Sequence, residues 1–361
     1  MACLDKARVA LLYSAGHLAV DYAGALFRGI ERGLLELGAS VASLNCVFGK
    51  DFVLPHDAEY DGNSALVRMI IEFLTKEAGS GKFDLCLGLF HDLYLAPELQ
   101  DCLRRTCRRI VNYPLNLLDQ PQRFEKATEF CDETFCAEED ALAPLRARFG
   151  ANKIRYVPLA SDPYIHRPIG SPASPRLLFV GSVYADRLWL LDQCAREMPT
   201  SIFGPNYNLT SVFRNLASEH IRGHQPLHPL SVLRMLGRVA LRDRRIVGDE
   251  EYVRLASKHG VSVGFAGVRH ERSGEMLKKV RLRDYDATMC GLCHLAARLP
   301  ELERGFDGGR EILFYDEVGE IPGLLAKIRR DSISWREIGK NARRRAENEH
   351  TWTKRLGAAF G

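Results

Sequence analysis

Residues 161–181 decide how this chain is organised. They read Ser161-Asp162-Pro163-Tyr164-Ile165-His166-Arg167-Pro168-Ile169-Gly170-Ser171-Pro172-Ala173-Ser174-Pro175, then Arg176-Leu177-Leu178-Phe179-Val180-Gly181. Pro163, Pro168, Pro172 and Pro175, with Gly170 among them, break any helix or central strand, so the first part is a linker. The apolar run Leu177–Gly181 that follows is a buried strand closed by a glycine turn. Ala185–Glu197 then has helical spacing. A strand–turn–helix unit therefore starts afresh after the linker.

The same alternation precedes it. Arg8–Tyr13, Val41–Cys46, Leu85–Phe90, Ile110–Tyr113, Thr134–Ala137 and Ile154–Leu159 read as strands. Leu18–Leu37, Ser64–Lys76 and Glu138–Phe149 read as helices. After the linker, Ser201–Gly204, Val261–Ala266, Leu292–Ala296 and Ile312–Tyr315 read as strands. Gly274–Val280, Ile321–Ile328 and one long segment from Ser334 to about Ala358 read as helices. Strands separated by helices imply parallel sheets covered on both faces. The expected fold is α/β, with two Rossmann-like domains facing across a cleft. The expected boundaries are 1–163, 164–345 and a C-terminal helix, 346–361, packing back on the first domain. In such sheets ligands bind at the carboxyl ends of the strands.

Composition bounds the rest. The 361 residues are 46% hydrophobic and 27% charged, with a formal net charge of +4. That excludes a disordered or collagen-like chain. The balance is too mild to indicate a nucleic-acid protein. Lys327–Gly361 is more basic, with ten Lys/Arg against four Asp/Glu. It reads as a solvated helix face, or as a peripheral contact with an anionic surface. No apolar run reaches the roughly 20 residues of a membrane span. His17 and Asp21 follow Val9–Leu12 too soon for a signal-peptide core. The ten cysteines are scattered, many in apolar runs, which suits free thiols in a reducing cytoplasm.

Several short motifs fail. Gly79-Ser80-Gly81-Lys82 lacks the other phosphate-loop residues, since Lys76 and Phe83 stand where Gly and Ser/Thr are needed. No G-x-G-x-x-G follows the first strand. Cys290-Gly291-Leu292-Cys293-His294 matches a haem-attachment pattern, but it lies in a helix-to-strand passage typical of a buried core. No metal site or cofactor is expected.

The informative block runs from Lys279 to His350. It holds Arg281, Arg283-Asp284-Tyr285-Asp286, Cys290-Gly291, Leu299-Pro300-Glu301-Leu302, Gly305-Phe306 and Gly309-Arg310-Glu311-Ile312, and ends at Asn348-Glu349-His350-Thr351-Trp352 with Arg355. This ordered series resembles the C-terminal domain of the CgeB-like spore-maturation glycosyltransferases of the GT-B superfamily. Leu178-Phe179-Val180-Gly181-Ser182 with Arg187 resembles that domain's first strand and loop. The resemblance spans about Arg176 to Arg355. Tyr285-Asp286 stands in place of the family's Phe-Glu, and Leu292 in place of its second glycine. It implies a nucleotide-sugar donor, UDP by family frequency, and metal-independent transfer to an unidentified acceptor hydroxyl.

The chemistry of such a donor suits these residues. Asp286 can accept hydrogen bonds from ribose hydroxyls, or act as a helix cap. Arg283 or Arg187 can neutralise the pyrophosphate, or form surface salt bridges. Gly291 lets a backbone come close. By resemblance, Gly181 and Ser182 form the loop facing the donor phosphates; a tight turn is the plainer reading. Glu311 is either a donor contact or a bond to backbone. Lys278 stands where the superfamily's Glu-x7-Glu pair has its first acid, so inversion or retention stays open. On the acceptor side, Gly16 and His17 follow the first strand, and His91 and Asp92 follow Leu85–Phe90. His17, His91 or Asp92 can deprotonate the acceptor, or serve as caps. Three other readings compete: a two-lobed sugar sensor needing no phosphate-binding arginine, a sugar-nucleotide epimerase, and a nucleic-acid binder using Arg343-Arg344-Arg345.

Overall fold

In a computed structural model, the structure describes residues 4–15, 20–47, 64–92, 95–170, 172, 174–181, 187–204, 247–331 and 333–361. The chain forms two compact units. One comprises Met1–Asp162, Gly267–Val280 and His350–Gly361; the other comprises Pro163–Ala266 and Arg281–Glu349.

In chain order, the first unit contributes β1 (Arg8–Ala15), α1 (Val20–Glu36), β2 (Ser40–Val47), α2 (Ala65–Ala78), β3 (Leu85–Gly88), α3 (Pro97–Thr106) and β4 (Ile110–Asn112). Next come α4 (Glu125–Phe130), β5 (Glu133–Cys136), α5 (Leu142–Phe149) and β6 (Ile154–Tyr156). The second unit follows with β7 (Arg176–Val180), α6 (Arg187–Glu197), β8 (Thr200–Phe203), α7 (Asp249–His259) and β9 (Gly260–Val263). The hairpin β10 (Gly267–Arg269) and β11 (Met276–Lys278) belongs to the first unit. The second unit resumes with α8 (Leu282–Met289), β12 (Cys293–Ala297), α9 (Pro300–Gly305), β13 (Leu313–Tyr315), α10 (Ile321–Arg329) and α11 (Trp335–Glu349). The last helix, α12 (Trp352–Phe360), is again in the first unit.

The first sheet has the order β2-β1-β3-β4-β5-β6, with every pairing parallel. β3, β4 and β5 are buried along their whole length, as strands covered by helices on both faces must be. α1 presents Gly29 and Gly33 to α12. A Cβ on Gly29 would lie 2.4 Å from the Trp352 ring, and one on Gly33 would lie 3.0 Å from the Thr353 backbone nitrogen. Two glycines one turn apart thus let these helices touch.

The second sheet has the order β13-β12-β9-β7-β8, also parallel throughout. Its core on one face joins Tyr252, Val253, Leu255 and Ala256 of α7 to Ala287 of α8 and to Leu178 and Leu292. Both units are therefore Rossmann-like α/β layers.

Two expectations need correction. Gly274–Val280 is no helix: Met276–Lys278 pairs antiparallel with Gly267–Arg269. Its helix-like spacing is overridden by that pairing. The segment from Ser334 to Ala358 is two helices, not one. Thr351 interrupts it, accepting a hydrogen bond from Lys354 N while Ser161 N donates to the His350 carbonyl. Thr351 is the N-cap that a restarting helix requires. α3, for which the sequence reading gave no element, begins at Pro97, with proline in the first turn where its missing N–H is harmless.

Candidate functional site

The connection from β7 to β8 runs to one side of the second sheet. From β8 the chain crosses back over β7 to β9 and continues outward to β12 and β13. The direction reverses between β7 and β9, and in parallel sheets the crevice above such a point is where ligands bind. Three adjacent strands each end there on a glycine: Gly181 after β7, Gly204 after β8 and Gly264 after β9. A Cβ on Gly204, whose φ is +145°, would lie 2.1 Å from the Gly181 carbonyl oxygen. A Cβ on Gly264 would lie 2.3 Å from Asp284 Oδ1. Side chains are excluded, so the backbone itself lines this edge.

Arg187 opens α6 and is only 8% exposed. Its Nη2 donates to the Phe265 carbonyl at 3.3 Å, and its guanidinium lies 5.7 Å from the Phe265 ring centroid. Phe265 follows β9, so this arginine, which follows β7, spans the reversal point.

Asp286 and Arg283 both lie on α8. Asp286 is buried, with Oδ1 3.2 Å from His166 Nδ1 and Oδ2 3.6 Å from Arg283 Nη1. His166 Nε2 is in turn 3.6 Å from Asp249 Oδ1, and the Arg283 guanidinium lies over the Tyr252 ring at 4.2 Å. Asp286 is thus not a helix cap, and Arg283 is not a surface salt bridge. The N-cap of α8 is Arg281, and Asp284, three residues on, closes its capping box: Asp284 Oδ2 accepts from Arg281 N at 2.7 Å.

Other candidates serve the backbone. Gly291 ends α8 with φ +74°, at the amino edge of β12, away from the glycine edge. Its close approach is to α11: a Cβ on Gly339 would lie 2.1 Å from the Gly291 carbonyl oxygen. The expected donor contact is corrected to a helix–helix contact. Glu311 Oε2 accepts from Asp307 N at 2.8 Å, closing its own loop. In the Arg343-Arg344-Arg345 run, Arg343 donates to the carbonyls of His166, Met289 and Pro163, and Arg345 to that of Gly305. Two of the three arginines are turned to the protein rather than to solvent.

In the first unit, the corresponding reversal lies between β1 and β3. Gly16, His17 and, in the second unit, Ser182 lie outside the described residues. Asp92 accepts from Ala127 N at 2.9 Å and Lys126 N at 3.0 Å, which is capping work at the start of α4. This is the cap role, one of the two readings the sequence offered for it. His91 stacks edge-on against Phe124, with ring centroids 5.1 Å apart. Burial, reinforced by the Arg123 charge, lowers its pKa from 6.5 to about 4. The folded state then binds fewer protons than the unfolded chain between those values, so stability falls as pH drops from 6.5 toward 4. His91→Gln is expected to flatten that acid limb in melting curves taken from pH 7 to pH 4. Parallel curves would refute it.

Sequence reading missed His166, Asp249, Tyr252, Ser262, Asp284 and His294. Only Asp284 had a local signal, its position three residues into a helix behind Arg281. Cys290 and Cys293 are buried free thiols, and burial pushes both pKa values up. Among the described residues no group of three or more His, Cys, Asp or Glu forms a metal site, and no helix is long and apolar enough to cross a membrane.

Two parallel-sheet units with a glycine-edged crevice define the GT-B class of fold. A family described as glycosyl transferase-like matches residues 187–360, which covers the second sheet from α6 onward and both C-terminal helices. Residues 187–360, a little under half of the chain, are thus similar to that family, and the fold of the chain is the GT-B fold. Solved structures agree on the fold over nearly the whole chain. Sucrose-phosphate synthase from Thermosynechococcus elongatus is 16% identical with a TM-score of 0.58, covering 98% of both chains. A glycosyltransferase from Rickettsia africae is 11% identical with a TM-score of 0.61, covering 98% of this chain and 97% of that one. Anabaena HepE in complex with UDP and glucose is 13% identical with a TM-score of 0.57, covering 98% of both. No curated protein sequence matches the chain.

Proposed function

We propose that the chain moves a sugar from a nucleotide-sugar donor, with UDP the favoured nucleotide, to an acceptor hydroxyl, without a metal, in the manner of the CgeB-like glycosyltransferases. The observation that carries this reading is Arg187, buried across the reversal point of the second sheet at an edge made of glycines. The donor's diphosphate lies against that backbone and meets the Arg187 guanidinium. The bond from the anomeric carbon to the diphosphate oxygen breaks as the acceptor oxygen bonds to that carbon, and the acceptor hydroxyl gives up its proton to a general base. The charge left on the leaving diphosphate is what the arginine stabilises. Asp286 accepts from a ribose hydroxyl. Its contact with Arg283, at 3.6 Å, is longer than a hydrogen bond and yields to such a partner. Arg283 then adds a second positive charge. Uridine is favoured because HepE, of the same fold, holds UDP.

His91 is the acceptor-side candidate among the described residues, as a neutral imidazole beside the first sheet's reversal point. Eight cysteines among the described residues are buried free thiols, which supports a reducing, cytoplasmic setting. A thermal-shift panel of UDP, GDP, CMP and dTDP sugars tests the reading. Ligand at about 100 times its Kd adds roughly 2.7 kcal/mol of stability, so a UDP-sugar is expected to raise the melting temperature measurably. No shift with any nucleotide would overturn the reading in favour of a sugar sensor.

A further inference from the structure

Beneath the glycine edge lies a buried polar chain that none of the chemistry above uses. Ser262 Oγ lies 2.8 Å from His294 Nδ1, and His294 Nε2 lies 2.8 Å from Asp284 Oδ1. The remaining Asp284 oxygen, Oδ2, accepts from Arg281 N at the start of α8. All three side chains are buried. A carboxylate only accepts, which places a proton on Nε2 and leaves Nδ1 to accept from the Ser262 hydroxyl.

The order of groups is that of a nucleophile triad, but the location forbids that role. Ser262 lies inside β9, with β7 and β12 on either side, and its register partner on β12 is His294 itself. A substrate carbonyl would have to enter between the sheet and α8 to reach it.

The location fits a different task. Ser262 and Gly264 are two residues apart in an extended segment, so they face the same side. The Cα of Gly264 therefore rests on the bond between Asp284 and His294, and any Cβ there would collide with both. On its other side, the Gly264 carbonyl accepts from Tyr315 Oη at 2.6 Å. The next residue, Phe265, supplies the carbonyl that holds Arg187.

We propose that Ser262, His294 and Asp284 are positioning residues that fix the Gly264–Phe265 edge, and through it Arg187, for the donor's diphosphate. The proposal rests on the donor reading above. An apolar trio would fill the same space; it would neither cap α8 nor hold the glycine from below.

Titration of UDP into the full-length protein tests it, with melting temperatures measured in parallel. Ser262→Ala removes one hydrogen bond and is expected to raise the Kd for UDP about fivefold. Asp284→Asn disturbs the bonds to both His294 and the start of α8, with an expected loss of about tenfold or more. Ser262→Thr keeps the hydroxyl and is expected to restore wild-type binding. Cys293→Ala, an equally buried change one residue from His294, is expected to lower the melting temperature and leave the UDP Kd unchanged. If Ser262→Ala and Asp284→Asn melt lower but bind UDP as the wild type does, the trio only packs the core and the proposal fails alone. If the wild type itself does not bind UDP, the donor reading fails and takes this one with it.

Discussion

Lys279→Ala is expected to lower the melting temperature by about 6–20 °C, the shift that roughly 3–5 kcal/mol produces in a domain of this size. Lys279 follows the β10–β11 hairpin and is buried within the first unit. Its ammonium lies 2.6 Å from Asp119 Oδ1, 2.9 Å from Asn116 Oδ1, and 3.3 Å from both Glu138 Oε1 and the Leu115 carbonyl oxygen. Asp119 and Glu138 are buried as well. Removing the lysine leaves two carboxylates without their cation in a place where water cannot replace it, and that uncompensated charge is the main penalty. A triple change, Lys279→Met with Asp119→Asn and Glu138→Gln, takes away the charges together and is expected to recover much of the loss. Glu271 anchors the same hairpin, accepting from Arg123 and Gln122 through its carboxylate while its backbone N donates to the Asp119 carbonyl. Hydrogen exchange across 267–280 should therefore accelerate first in Lys279→Ala. Equal melting of variant and wild type would show that the ammonium contributes nothing net.

This lysine also marks where sequence reading stops. β1, β3 and β7 were legible because a strand buried on both faces is an apolar run, and that signal is local. The hairpin was not legible. Glu275, Lys278 and Lys279 fall at helical spacing, and what overrides it is pairing with Gly267–Arg269 and charge partners far back in the chain. Gly291 shows another limit. A glycine after a helix looks the same whether a ligand or another helix approaches it, and here it is Gly339 of α11. For Asp286 and Arg283 the three-residue spacing was visible, but His166, which holds the carboxylate, comes from the linker. Asp92 reads as a loop acid until α4, more than thirty residues on, is found donating to it.

Arg187→Ala is expected to weaken UDP binding by about 10- to 150-fold, the range for losing a hydrogen bond to a charged group. The argument begins with its burial. A guanidinium seated against the Phe265 ring and carbonyl has already given up most of its water, so an anion that reaches it is attracted in a medium of low dielectric. The geometry adds to this, because a planar fork can hold one phosphate oxygen pair while keeping its bond to the Phe265 carbonyl. Arg187→Lys retains the charge and loses the fork, so its UDP affinity is expected between those of wild type and Arg187→Ala. The opposing view treats Arg187 as a strut between α6 and the end of β9. A strut predicts a lower melting temperature with unchanged UDP affinity in both variants, and it predicts no ranking between alanine and lysine. Isothermal titration with UDP on the three proteins separates the two views, since only a phosphate-binding arginine gives graded affinity at matched stability.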